Sequence, residues 1–134
     1  MNLDLAPGLL DQIVTYTRSR LPLESCGFLA GRDSFASQFI PIANRLASAT
    51  EFDMEPAEMI AAMRSLRTNG DSLLAIVHSH PRGPAWPSAT DIARAWYPNT
   101  AHVIVSFALA ETPEVRGFRI HQGEVIGIEL RVIV

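Results

Sequence analysis

The chain has one cysteine, Cys26, which excludes an internal disulfide and a zinc site built from several thiolates. No apolar run approaches the roughly 20 residues that a membrane helix needs. The opening Met-Asn-Leu-Asp-Leu lacks the basic and apolar regions of a leader, so a soluble cytoplasmic protein is the default expectation. Eleven Lys and Arg stand against fourteen Asp and Glu, a formal charge of -3, and neither sign forms a block. That spread gives no footprint for nucleic acid or for an anionic membrane. Internal repeats, low-complexity tracts and linkers are missing too. The chain does have 134 residues, 48% of them apolar, enough for one ordinary core and too little for two. A single domain over 1–134 is therefore expected.

Pro7 to about Ser19 places Leu9, Leu10, Ile13, Val14 and Tyr16 at helical spacing, with Pro7 allowed in a first turn. Cys26-Gly-Phe-Leu-Ala-Gly31 is a short apolar run between glycines, which suits a buried strand with Glu24 at its entrance. Phe35 to Ile42 reads as the next strand, with Pro41 pointing to an edge or a strand end. Glu55 to Asn69 carries Met59, Ile60, Met63 and Leu66 on one face and ends before Gly70, a helix followed by its preferred stop. Ser72 to His78 is an apolar strand that ends at two histidines. A proline-rich loop leads from there to a third helix, from Ser88 to about Trp96. Strand-like runs follow at 101–108, 115–121 and 125–134, with Gln122-Gly123 as a tight connection. Helices interleaved with strands in this way imply an α/β layer fold with a mixed central sheet.

Chemistry concentrates around His78-Ser79-His80. Side chains at i and i+2 of an extended chain share a face, so both imidazoles can grip one ion. Asp91 follows eleven residues after His80, where the proline-rich loop can fold its carboxylate back over the strand end. Two imidazoles and one carboxylate leave a fourth tetrahedral position open, as a catalytic zinc requires. Water in that position would have its pKa lowered to about 7. Glu24 is the candidate general acid/base, a carboxylate outside the metal's ligand set. Ser88 could place its hydroxyl where negative charge develops on the carbonyl oxygen. A structural alternative stands beside these roles, because Ser88-Ala-Thr-Asp91 is also close to a capping box. An Asp91 engaged with the backbone would be unavailable to zinc.

Taken together, Glu24, then His78-Ser-His80-Pro81, then Pro87-Ser88-x-x-Asp91, resembles the JAMM (MPN+) metalloprotease signature, with every position filled. The flanks, Cys26-Gly-Phe-Leu-x-Gly31, Phe52-Asp-Met and Val103-Ile-Val-Ser106, are similar to the small stand-alone prokaryotic type. The resemblance implies a cytidine-deaminase-like mixed sheet between helices. It also implies a zinc hydrolase of peptide or isopeptide bonds that acts at the C-terminus of a ubiquitin-like or sulfur-carrier protein. His78, His80 and Asp91 match the zinc ligands, Glu24 the acid/base and Ser88 the oxyanion-stabilising residue. A non-catalytic carrier-binding module with a structural metal is the alternative.

An iron facial triad would have no evident use for Glu24 and Ser88, and a zinc nucleobase deaminase needs cysteines that are missing. Cys26 in its apolar run reads as a core residue before it reads as a nucleophile. His102 and His121 read as ordinary strand-end residues, and Trp86 as a packing residue of the loop between His80 and Asp91. Asn44 and Arg45 lie in a polar connection and receive no role.

Overall fold

The computed structural model describes residues 2–95, 97–109 and 112–134. Its elements run β1 (Asn2–Leu5), α1 (Leu9–Ser19), β2 (Cys26–Arg32), β3 (Phe35–Ile42), α2 (Pro56–Asn69), β4 (Ser72–His80), α3 (Ala89–Ala93), β5 (Ala101–Ser106), β6 (Glu114–His121) and β7 (Glu124–Val132). The strands join in the order β1-β3-β2-β4-β5-β6-β7, and β1 closes the circuit against β7. The sheet is mixed, as anticipated: β1 runs parallel to both its neighbours, β4 runs parallel to β5, and the remaining pairs are antiparallel. Closure was not anticipated. It depends on β1, a strand of four residues whose Leu3 and Leu5 alternate inward.

Alternation along β4 decides which helix covers which residues. Ala75 and Val77 join Leu5, Ile13, Leu29, Phe39, Val103 and Val105 in a core packed by α1. Ile76 turns to the opposite face, where Cys26, Phe28, Ile42, Met54 and Ala62 form a second cluster beside α2. His78 and His80 continue that second face. Fully burying one such Val, Leu or Phe side chain contributes about 1.5–3 kcal/mol, so both faces hold β4 and its histidines firmly in register.

Several boundaries move from the sequence expectation. α1 begins at Leu9 rather than Pro7, because Gly8 sits in the left-handed region at φ 81° and makes the turn into the helix. Glu55 caps α2 instead of opening it: its carboxylate accepts from Ala57 N–H and Glu58 N–H at 3.2 and 2.8 Å, and Pro56 takes the first turn. Gly70 ends α2 at φ 72°, as expected. α2 buries Ala62 and Leu66 and leaves Ile60 and Met63 exposed. Its small Ala62 faces the second cluster and brings the helix close to the strands. α3 stops at Ala93 with no buried residue to prolong it; the expected end at Trp96 lies outside the described residues. Gln122 and Gly123 both take positive φ, 50° and 80°, the geometry of a tight hairpin turn. No helix among the described residues is long and apolar enough to cross a membrane.

Candidate active site

His78 and His80 occupy the C-terminal end of β4, and Ser79 between them faces the other way. Ser79 Oγ accepts from Ser25 N–H at 2.9 Å, and Ser79 N–H donates to the Ser25 carbonyl at 2.9 Å. The residue between the two imidazoles thus ties their strand to the segment that carries Glu24. The imidazoles converge, with Nε2 atoms 3.1 Å apart. His80 Nδ1 lies 2.8 Å from the Pro84 carbonyl. A carbonyl can only accept, so Nδ1 holds a proton, and the neutral ring presents a lone pair at Nε2. Phe52 stacks on His78 with ring centroids 4.6 Å apart and fixes the plane of that ring.

Asp91 reaches the same point from α3. Its Oδ2 lies 3.1 Å from His78 Nε2 and 3.1 Å from His80 Nε2. The capping box is also present: Asp91 N–H donates to Ser88 Oγ at 3.1 Å, and Ser88 N–H donates to Asp91 Oδ2 at 2.9 Å. The sequence argument treated backbone capping and metal binding as alternatives for Asp91, but its carboxylate does the first while facing both histidines. A carboxylate has about four lone-pair sites, and one N–H uses one of them. Ser88 Oγ serves as the acceptor in the box, which leaves its own hydrogen to donate.

Glu24 stands two residues before β2 and is buried. Its backbone N–H donates to the Ser48 carbonyl at 2.8 Å, so the segment after β3 holds it in place. Burial, with Asp91 and Glu51 nearby, outweighs the pull of His80 and raises its carboxyl from 4.5 to about 7. Glu24 is therefore balanced between its protonated and charged forms at neutral pH. Burial lowers the pKa of His78 despite Asp91 beside it. For His80 burial acts in the same direction, but Asp91, the Pro84 carbonyl and Glu24 together raise it. Burial would raise Asp91, yet hydrogen bonds with His78 and His80 and from the Ser88 backbone hold it well below the usual carboxylate range.

His78 Nε2, His80 Nε2 and Asp91 Oδ2 form a triangle with 3.1 Å sides. Without a proton or a cation between them, lone pairs would face lone pairs. Tetrahedral zinc ligands at about 2.0–2.1 Å stand about 3.3 Å apart, so the triangle suits an ion of that size. Glu24, His78 and His80 also offer ligand atoms within 4.8 Å of one another, which sets a second carboxylate at the edge of the same point. Beside His78 and Asp91 opens a cavity of about 340 Å³, lined by Glu51, Phe52, Met54, Met59, Ile76 and Arg94 among others. The donor set fits a divalent metal with room for a substrate next to it.

Of the discounted residues, Cys26, His121 and Trp86 stay apart from this chemistry, whereas His102 lines the same cavity as His78 and Asp91. Cys26 is buried and donates to the Ile42 carbonyl at 3.2 Å, and burial pushes its thiol up to about 12, which leaves no thiolate for attack. His102 is buried on β5, and burial lowers it to about 4, so it is neutral. His121 ends β6 and is exposed. Trp86 packs edge-on against Phe118 at 5.2 Å, with Arg116 over its ring. Phe52, Ser79 and the Pro84 carbonyl were missed as supports of the site. Ser79 and Phe52 stand inside the His-Ser-His and Phe-Asp-Met motifs, which mark their positions but not their contacts, and each of the three acts through a contact made only in the fold.

The family model of prokaryotic homologs of the JAB domain matches residues 6–121. The chain is 34% identical over 122 residues to a probable TtuB-protein conjugate cleaving protease of Thermus thermophilus, covering 90% of this chain and 78% of that one. It is 30% identical over 127 residues to the CysO-cysteine peptidase of Mycobacterium tuberculosis, covering 93% and 87%. Among solved structures, protein DSY2949 from Desulfitobacterium hafniense is similar with a TM-score of 0.89 and 32% identity, over 99% of this chain and 93% of that one.

Proposed function

The chain belongs to the prokaryotic homologs of the JAB domain, and from that premise we propose that it is a zinc-dependent peptidase. Its substrate is the C-terminal tail of a ubiquitin-like or sulfur-carrier protein, cut at a peptide or isopeptide bond in the cytoplasm. The observation that carries the reading is the convergence of three metal-type donors at 3.1 Å, with a buried carboxyl of pKa about 7 beside them. The relatives named for conjugate cleavage and for CysO-cysteine hydrolysis support the substrate class.

His78, His80 and Asp91 would hold the zinc, which when bound supplies Lewis acidity toward a carbonyl. Glu24 accepts a proton from the attacking water and returns it to the leaving nitrogen, and a pKa close to the working pH suits both halves of that exchange. The Ser88 hydroxyl donates to the oxygen on which negative charge develops. Burial of Glu24 and His78 keeps these charges in a low-dielectric setting, where they act more strongly than in water. The cavity next to Asp91 receives the substrate segment at the scissile bond.

A carrier protein ending in Gly-Gly plus a short C-terminal extension, mixed with this protein, should be shortened to its diglycine end, as read by mass spectrometry. Chelation should stop the reaction and added zinc restore it. Binding without shortening would favour the non-catalytic module instead.

A further inference from the structure

The Glu24 carboxylate accepts no hydrogen bond from any described residue, so its position depends on where its backbone is held. Both backbone groups of Glu24 are held by the segment after β3. Its N–H donates to the Ser48 carbonyl at 2.8 Å, and its carbonyl accepts from Asn44 Nδ2 at 3.0 Å. Asn44 does more than this. The same Nδ2 donates to the Glu51 carbonyl at 3.0 Å, and Oδ1 accepts from Leu46 N–H and Asp53 N–H, each at 3.1 Å. Two N–H donors and two lone pairs are all that a side-chain amide has, and Asn44 uses every one.

These bonds gather residues 44–54 around one side chain. The neck of the loop is closed by a bridge between Asn44 and Met54 and by Arg45 N–H donating to the Asp53 carbonyl at 2.9 Å. Residues 45–47 and 49–51 are exposed, so apolar burial contributes little to the loop's shape and the amide network contributes much. The far side of the loop presents Phe52, which stacks on His78. One loop therefore contacts Glu24 at its start and a metal-type histidine near its end.

We propose that Asn44 is a positioning residue for catalysis: its side-chain amide sets the loop that places the Glu24 carboxylate against the reacting water. The proposal rests on the reading of Glu24 as acid/base. Asn44 reaches neither the substrate nor the donor cluster, and it acts through the Glu24 backbone. A misplacement of about 1 Å at the proton-transferring group costs up to about a hundredfold in rate.

The test compares wild type, Asn44→Ala, Asn44→Asp, Glu24→Gln and the Asn44→Ala/Glu24→Gln double variant, all zinc-loaded. The substrate is a Gly-Gly carrier with a C-terminal extension. Asn44→Asp keeps the two acceptor bonds and loses the two donor bonds, so it isolates the hold on the Glu24 and Glu51 carbonyls and decides the matter if the alanine variant does not fold. Expected are full zinc content, KM within about twofold and kcat lower by about tenfold to a hundredfold. Because Asn44 acts through Glu24, adding Asn44→Ala to Glu24→Gln should lower kcat no further. The inference is overturned if Asn44→Asp keeps wild-type kcat, or if the two effects multiply. Failure of the underlying reading looks different: Glu24→Gln would itself turn over normally.

Discussion

Glu24→Gln separates chemistry from metal binding, and the structure adds a second readout to it. The amide keeps the size of the side chain and can still hydrogen-bond water, but it cannot accept and return a proton near neutral pH. Turnover should fall by about a hundredfold to ten-thousandfold, with zinc content and carrier binding unchanged. The second readout is stability. Burial raises the Glu24 carboxyl from 4.5 to about 7 in the folded protein, so between these values the folded state holds a proton that the unfolded chain has lost. Stability is therefore lost as pH rises from 4.5 through 7, and the cost is fully present above about 7. A rise of that size corresponds to about 3 kcal/mol, and screening at the mouth of an open site reduces it to about 1–3 kcal/mol. The metal-free Gln variant should exceed metal-free wild type by that amount at pH 8 and match it near pH 4. Denaturant titrations at both pH values measure the difference, and mass spectrometry of the carrier measures turnover. Full turnover with zinc retained would mean that another group moves the proton, and loss of zinc would make Glu24 a ligand. Equal stability at pH 8 would refute the desolvation argument.

His78→Ala and His80→Ala should each remove zinc, since two remaining donors are too few; metal analysis checks this, and stoichiometric zinc in the double variant would contradict the ligand assignment. Ser88→Ala should keep zinc and lower turnover by up to about a hundredfold or more. Its melting temperature should also drop, because the helix cap is worth about 1 kcal/mol. Unchanged turnover with a lowered melting temperature would leave Ser88 the capping role alone.

The parts of the molecule that were legible in the sequence share a physical origin in local periodicity and motif spacing. The His-x-His pair reads from the two-residue period of a strand, and β4 bears it out with both rings on one face and Ser79 on the other. α2 reads from Gly70 as its stop, and its buried face reads in part: Leu66 is buried and Met59 packs on the second cluster, but Ala62 rather than Ile60 or Met63 is what the strands accept at close range. β1 escaped because four residues carry too little alternation to stand out, and only pairing with β7, at the far end of the chain, gives them a place. Asn44 escaped for a related reason. An asparagine in a polar connection is an ordinary sight, and its four hydrogen bonds exist only once Glu24, Leu46, Glu51 and Asp53 surround it.

The shared use of Asp91 Oδ2 has a consequence for α3. This helix has five residues and buries none of them, and an isolated helix of that length does not hold in water. Its supports are the capping box, the carboxylate seated between the two histidines and, at its C-cap, Arg94 donating to the Phe52 carbonyl at 3.3 Å; the first two depend on Asp91. A metal at that point would bind α3 to the end of β4 through the same oxygen that accepts from Ser88 N–H. Removing the metal leaves the cap as the main tie, so the amides that donate into the first turn, Asp91 N–H to Ser88 Oγ and Ile92 N–H to the Ser88 carbonyl, should open more often. Hydrogen exchange in chelator-treated protein should be faster at these two amides by about tenfold to a hundredfold, the scale of a ligand present well above its Kd. The amide of Val77, inside the sheet, serves as the internal control. Equal protection of Asp91 and Ile92 with and without metal would show that α3 is held without help from the ion, and would refute its coupling to the metal.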